Sequence, residues 1–373
     1  MKVQRIAILL IILLNLSCKD DNPEIVKAIP IEEEEGKEEE EIILCDQSSC
    51  WNSAFYVCRD TTYINLFTRN KGWTGGDATY SVDLKNGKRL WMFGDTFIDQ
   101  VSEDRSRPAF RLINNSLILQ NEMSFQTIHG GTATQPEAFA KPPEATDWYW
   151  PGDATVANGK LYLFMHGFGN ETGGAWDFFR TSVDLLTLDP ETLEIQKSER
   201  LFNDMTISWG ATIMEDLDYT YIYGVLSDVA EKRLYVARTN SDLSIEWEYF
   251  DGTLWVKDPI KANAIFNGIS EQFSVFKDHD MYYLLTQQGV FGKKIYLYTA
   301  PTPEGIFESG RVIYCTPETG DNIFTYNAFV HDNVYQDSLL ISYNINSFDF
   351  NDLLESADNY RPYFVRVGNW RKQ

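Results

Sequence analysis

GGDATYSVDLKNGKRLWMFGDT, residues 75–96, reads as two short apolar strands around an Asn-Gly turn, with an aspartate after glycine at each open end, Asp77 and Asp95. Asn-Gly between alternating apolar residues is a strong two-residue hairpin signal. Such a turn at Asn86 and Gly87 pairs residues whose numbers sum to 173, which predicts Asp77 opposite Thr96 and Asp95 opposite Ala78. Alternation then sends the two carboxylates to opposite faces, unless a bulge at Gly76 or Gly94 re-aims one of them.

The pattern recurs. PGDATVANGKLYLFMHG (151–167), SWGATIMEDLDYTYIYG (208–224), SEQFSVFKDHDMYYLLTQQ (270–288) and TYNAFVHDNVYQDSLLISYN (325–344) each begin with a polar entry and return along an aromatic-rich strand. Aligned with the first copy, they place Asp77, Asp153, Gly210, Gln272 and Asn327 in register, at spacings of 76, 57, 62 and 55 residues. Further strands fit between the copies, among them NNSLILQ, SFQTIHG, KIYLYTA and GRVIYC, and there is no sustained helical period. Five units of about four strands predict an all-β, five-bladed β-propeller, each blade covering its neighbour's apolar face. The last copy is followed by one clear strand, PYFVRVGNW, so TYINLFTR (62–69) is expected to close the ring as an N-terminal strand. A β-sandwich is the alternative fold, but it gives no reason for five copies.

The chain opens MKVQRIAILLIILLNLSC, a basic start and an apolar run too short to span a membrane. NLSC resembles a bacterial lipoprotein box with Cys18 as the lipidated residue, and CKDDN resembles the acidic export signal of Bacteroidota surface lipoproteins. A plain cleaved signal is the simpler reading. Residues 19–41 carry eleven acids against three lysines and read as a solvated tether. The expected organisation is a signal peptide over 1–17, a tether over 18–44 and one propeller domain over 45–373. This makes the protein an exported outer-membrane lipoprotein, exposed at the cell surface, monomeric, and joined to the membrane through its lipid only. Cys45, Cys50, Cys58 and Cys315 allow disulfides, with Cys45–Cys50 and Cys58–Cys315 one of three pairings.

Of the formal charge of −23, residues 1–17 contribute +2 and 19–41 contribute −8, leaving −17 on the rest. That excludes nucleic acid and anionic headgroups as natural partners and favours a neutral or cationic ligand.

First strands of propeller blades start, and second strands end, around one axial pocket. This brings Asp77, Asp95 and Asp153 together with Glu271, beside Gln272, and with Tyr326 and Asn327. Trp73, Trp150, Trp209 and His166 stand next to these positions. Carboxylates from different blades among tryptophans suit a polysaccharide or oligosaccharide, and the paired acids of glycoside hydrolysis. The bland reading of each is also open: Asp after Gly commonly caps a turn, Trp is commonly core, and His166 can be a satisfied strand-end residue. No metal site or cofactor is expected from the motifs, although axial Asp, Asn and carbonyl groups could hold Ca²⁺.

The GGDAT entry, the WxFGDTF return and the later GDAT and YxxNxF-like copies resemble bacterial five-bladed propeller families of unknown function, one of which includes endo-D-arabinanases. That resemblance implies Asp77 and Asp95 as catalytic carboxylates, with Asp153 as a third acid. A more distant similarity to arabinanase and invertase propellers implies Glu271 as general acid, Asp77 as base or nucleophile and Asp153 as modulator. The expectation is a glycoside hydrolase acting on a furanose-containing, arabinan-like polysaccharide. Its rival is a non-catalytic glycan-binding lipoprotein.

Overall fold

The computed structural model describes residues 56–371, apart from 146, 174–176, 204–206, 228–230, 241, 244–245 and 333. The signal peptide, Cys18, the tether, Cys45 and Cys50 lie outside the described residues.

Five antiparallel sheets account for most of the chain, and each repeat hairpin supplies the first two strands of one. The first sheet is Tyr80–Asp83, Lys88–Phe93, Ser116–Asn121 and Ser124–Ile128. The second runs Trp148–Ala157, Lys160–Asn170, Phe178–Leu188 and Ile195–Phe202. Ile207–Asp216, Tyr219–Ser227, Lys232–Thr239 and Glu248–Phe250 head the third, which two short strands extend. In the fourth are Phe273–Asp278, Met281–Gln287, Lys294–Ala300 and Glu308–Cys315. The fifth comprises Ile323–His331, Ser338–Ser347, Pro362–Gly368 and, outermost, Tyr56–Arg59.

The first strands lie against one another in chain order, and that of the fifth sheet lies against that of the first. Each neighbouring pair of sheets encloses its own apolar cluster. Tyr80, Leu90 and Met165 belong to the first and second sheets, Phe164, Trp209 and Trp247 to the second and third, and Tyr223, Phe273 and Leu284 to the third and fourth. Phe276, Tyr283 and Tyr343 fill the fourth and fifth, and Trp91, Phe93 and Phe364 the fifth and first. No sheet buries its second face alone, which is why the unit repeats.

An N-terminal strand does complete the last sheet, but it is not the expected one. Tyr56–Arg59 pairs with Pro362–Gly368, while Thr61–Leu66, inside TYINLFTR, is helical. Asp60 caps that helix by accepting the Tyr63 N–H at 3.0 Å, and Tyr63 and Phe67, four residues apart on one helix face, enter the cluster between fifth and first sheets. The β-branched residues in this stretch favour a strand by propensity, and the cap and packing override it.

The hairpin at residues 75–96 also departs from expectation, by one residue. Tyr80 pairs with Met92 and Asp83 with Arg89, so paired numbers sum to 172. The Leu84 N–H donates to the Lys88 carbonyl at 3.0 Å, leaving Lys85, Asn86 and Gly87 as a three-residue turn, with Lys85 and Gly87 at φ 60° and 84°. Asp83 accepts the Lys85 N–H at 2.8 Å and Asn86 accepts the Lys88 N–H at 3.1 Å. Side chains that seize nearby backbone donors in this way select the longer turn. Gly76 pairs with Thr96 in the same register beyond the acids.

Candidate active site

A one-residue change of register reverses which face a side chain takes. Between the two paired segments the ladder is also bulged: the Asp77 N–H donates to the Asp95 carbonyl at 3.2 Å and the Gly94 N–H donates to the Asp77 carbonyl at 2.9 Å, so Gly94 and Asp95 together face Asp77. The charge of Asp95 bears directly on the Asp77 carboxyl, so both carboxylates enter one site. The bulge falls at Gly94, one of the two glycines at which the sequence allows it. Gly94 also serves as clearance, since a Cβ there would stand 2.6 Å from Asp77 Oδ1 and 3.5 Å from Trp150 Cδ1.

Each acid has its own donors. Asp95 Oδ1 accepts from Trp150 Nε1 at 2.8 Å and from Asn114 Nδ2 at 3.2 Å. Asp77 Oδ2 accepts from the Tyr326 hydroxyl at 2.7 Å, and that hydroxyl accepts in turn from Asn346 Nδ2 at 3.2 Å. The Tyr360 hydroxyl donates to the Asp95 carbonyl at 3.2 Å. Burial, and then the charge of Asp95, push the Asp77 carboxyl up to about 7. Burial pushes Asp95 up to about 6, against the Trp150 and Asn114 hydrogen bonds that favour its anion. Near neutral pH the pair therefore holds about one proton, mainly on Asp77.

Asp153 has a different task. The pairing of the first strand slips between Pro151 and Ala154, and it slips at the equivalent places between Trp209 and Thr212 and between Tyr326 and Phe329. The repeated position is thus a bulge in three first strands, and in the first copy it separates Gly76 from the strand at Tyr80. The buried Asp153 carboxylate accepts the Ala154 N–H and the Ile213 N–H of the neighbouring sheet, both at 2.8 Å. It pins the bulge to the next sheet, and burial pushes its carboxyl up to about 8. Gly210 and Asn327 take φ of 81° and 59° there, conformations that glycine and asparagine tolerate.

Glu271 stands apart from the aspartate pair in a cationic corner. Arg180 and Lys232 engage its two carboxylate oxygens, and the Ser227 hydroxyl donates to Oε2 at 2.8 Å. Of the expected binding residues, Trp150 and Tyr326 contact the aspartates. Trp73 does not: it is fully buried, with ring centres 4.8 Å from Phe93 and 5.5 Å from Phe67. Trp209 is likewise core, packed on Tyr249 and Trp247. His166 is buried with Nε2 2.9 Å from the Trp209 carbonyl, and burial pushes it down to about 4, so it is a neutral structural group. Gln272 is buried too, and its Nε2 donates to the Thr79 carbonyl at 3.3 Å. Asn114, Asn346, Tyr360, Arg180 and Lys232 were not anticipated. Only Arg180, one cation within the apolar run of DFFRTSVDLL, carried a signal that sequence reading could have used.

Among the described residues, no group of three or more His, Cys, Asp or Glu side chains is placed to hold a metal ion.

All-β sheets in cyclic contact, with two coupled aspartates where the first and second strands meet, define a propeller-like protein with the outline of an acid–base site. The chain belongs to the family described as Domain of unknown function (DUF5005), which matches residues 60–370. It is similar to a crystal structure from Bacteroides ovatus provisionally described as a hydrolase, with 27% identity and a TM-score of 0.77 over 88% of this chain and 94% of that one. A Bacillus subtilis arabinoxylan arabinofuranohydrolase of glycoside hydrolase family 43 shows 14% identity and a TM-score of 0.48, over 80% of this chain and 63% of that one. For a Bacillus megaterium levansucrase the values are 13% and 0.48, over 78% and 82%. No curated protein matches.

Proposed function

We propose that this protein is a five-bladed propeller, closed by its N-terminal strand, and a glycoside hydrolase whose acid–base pair is Asp77 and Asp95. The observation that carries the reading is the shared site of the two carboxylates, with pKa values pushed to about 7 and about 6. Glycoside hydrolysis needs one carboxylic acid to protonate the leaving oxygen and one carboxylate to attack carbon or activate water. Both acids accept from side-chain donors, but the charge of Asp95 raises Asp77 further, so Asp95 is nucleophile or base. Asp77 keeps the proton and is the donor, the reverse of the role implied by the more distant resemblance. Trp150 positions Asp95, and its ring is a surface on which a sugar can stack.

The Bacteroides ovatus neighbour supports hydrolysis. The arabinan-like, furanose-containing substrate rests on the GGDAT and WxFGDTF resemblance. Anchoring to the outer membrane through a lipid on Cys18 and an acidic tether belongs to the same proposal, as does the monomeric state. An axial Ca²⁺ would be held by backbone carbonyl and amide oxygens and is not required by the chemistry.

The test is release of reducing ends from arabinan and arabinogalactan by purified protein. Wild type should release them, and Asp77→Asn and Asp95→Asn should not. Binding without release by wild type would refute the hydrolase and leave the glycan-binding lipoprotein.

A further inference from the structure

Arg180, Lys232 and Glu271 form a charge cluster that the aspartate pair does not use. They come from three sheets: Arg180 opposite Phe168 in the second, Lys232 opposite Ser227 in the third, and Glu271 just before the first strand of the fourth. Both cations are largely withdrawn from solvent, with side chains 13% and 16% exposed, whereas Glu271 is 39% exposed. Burial pushes Tyr80 up and His166 down, so neither carries a charge beside Arg180. Among the described residues, two basic side chains therefore share one carboxylate. Arg180 Nε is buried without a hydrogen-bond partner, and burial together with the charge of Arg180 pushes Lys232 down to about 7. Two basic groups on one carboxylate keep donors for a second anion.

The corner is joined to the aspartates by aromatic rings. The Arg180 guanidinium carbon lies 5.9 Å from the Phe168 ring centre, Phe168 lies 4.4 Å from the Trp150 ring, and Trp150 Nε1 donates to Asp95 at 2.8 Å. A sugar seated at the aspartates thus has a ring surface beside it and a cationic group at the far end of that surface.

We infer that Arg180 and Lys232 form a subsite for the oxyanion of an acidic sugar, a carboxylate or sulfate, borne on a residue neighbouring the one bound at the aspartates. This rests on the carbohydrate reading of the site and refines it, because the overall charge of the chain alone argued for a neutral or cationic ligand. The guanidinium fork matches an oxyanion, and the ammonium adds a point charge.

Isothermal titration calorimetry of the full chain tests it with three probes: glucuronate-bearing arabinogalactan oligosaccharides, the same oligosaccharides with carboxyls reduced to alcohols, and a sulfated neutral oligosaccharide of equal length. An oxyanion-bearing probe should bind at least about tenfold tighter than the reduced one, the expected scale for a charge-assisted contact. Which oxyanion gives the preference separates carboxylate from sulfate. Lys232→Met should remove most of that preference and Lys232→Arg should restore it, with thermal melts confirming that both fold. Equal or weaker binding of both oxyanion probes would overturn the inference, as would a preference untouched by Lys232→Met. Preference without bond cleavage would sustain this subsite and sink the hydrolase; cleavage without preference would do the opposite.

Discussion

Replacing Asp77 by asparagine should stabilise the protein while inactivating it. Asp77 sits at about 7 against an ordinary 3.8, and at 1.36 kcal/mol per pH unit that is about 4 kcal/mol against ionising it in the fold. The group is half-buried and shares its proton with Asp95, so about 2 kcal/mol is the expected yield. The sign follows from proton counting. Below about pH 4 the folded and unfolded chains both hold the proton. Between about 4 and about 7 the unfolded chain loses it and the folded chain keeps it, so stability falls as pH rises. Above about 7 the deficit is complete. Asparagine has no proton to lose, and its side-chain oxygen still accepts from Tyr326. Urea denaturation of both proteins at pH 4, 5.5 and 8 should show a stability difference in favour of Asp77→Asn that opens through this window and levels off, while kcat/KM falls by about 10²- to 10⁴-fold. A difference that is flat with pH, or a variant less stable than wild type at pH 8, would refute the argument.

Three further outcomes follow from the same geometry. Gly94→Ala should lower kcat/KM by roughly tenfold to a hundredfold with an unchanged circular dichroism spectrum, because its methyl takes the space of Asp77 Oδ1. Trp150→Phe removes a donor that favours the Asp95 anion, so the acidic limb of the pH–rate profile should move up by about half to one pH unit; Tyr326→Phe should move the basic limb up by a similar amount, since Tyr326 holds Asp77 down. The charge of Asp95 acts directly on Asp77, which suits the closer carboxylate spacing of retaining enzymes, so proton NMR of the first product should show retained anomeric configuration.

The five repeat hairpins were legible because alternation and turn residues are local properties, and every one of them became the leading pair of a sheet. The closing strand was misplaced because Tyr56–Arg59 spans four residues, while the helix beside it carries stronger strand propensity. The Asn-Gly turn alone sends Asp77 and Asp95 to opposite faces unless a bulge intervenes; side-chain hydrogen bonds at Asp83 and Asn86 lengthen that turn, and a bulge at Gly94 does intervene. Asp153 matched Asp77 letter for letter, GDAT for GDAT, yet one carboxylate meets another acid and the other meets two backbone donors. Tyr360, Asn346 and Asn114 reach the pair from segments far along the chain or off the repeat, and no local pattern marks them.

The outermost strand of the fifth sheet gives the molecule an order of assembly. Tyr56 meets Gly368 only after nearly the whole chain exists, a contact of very long sequence separation and hence of slow, late formation. Tyr326, the partner of Asp77, lies on the first strand of that same sheet. A nascent chain ending before Pro362 leaves it on an unfinished hairpin. Four sheets can form while synthesis proceeds, but the sheet that carries the Asp77 partner gains its outermost strand only when segments more than 300 residues apart meet, so the neighbourhood of the acids is among the last parts of the fold to be completed.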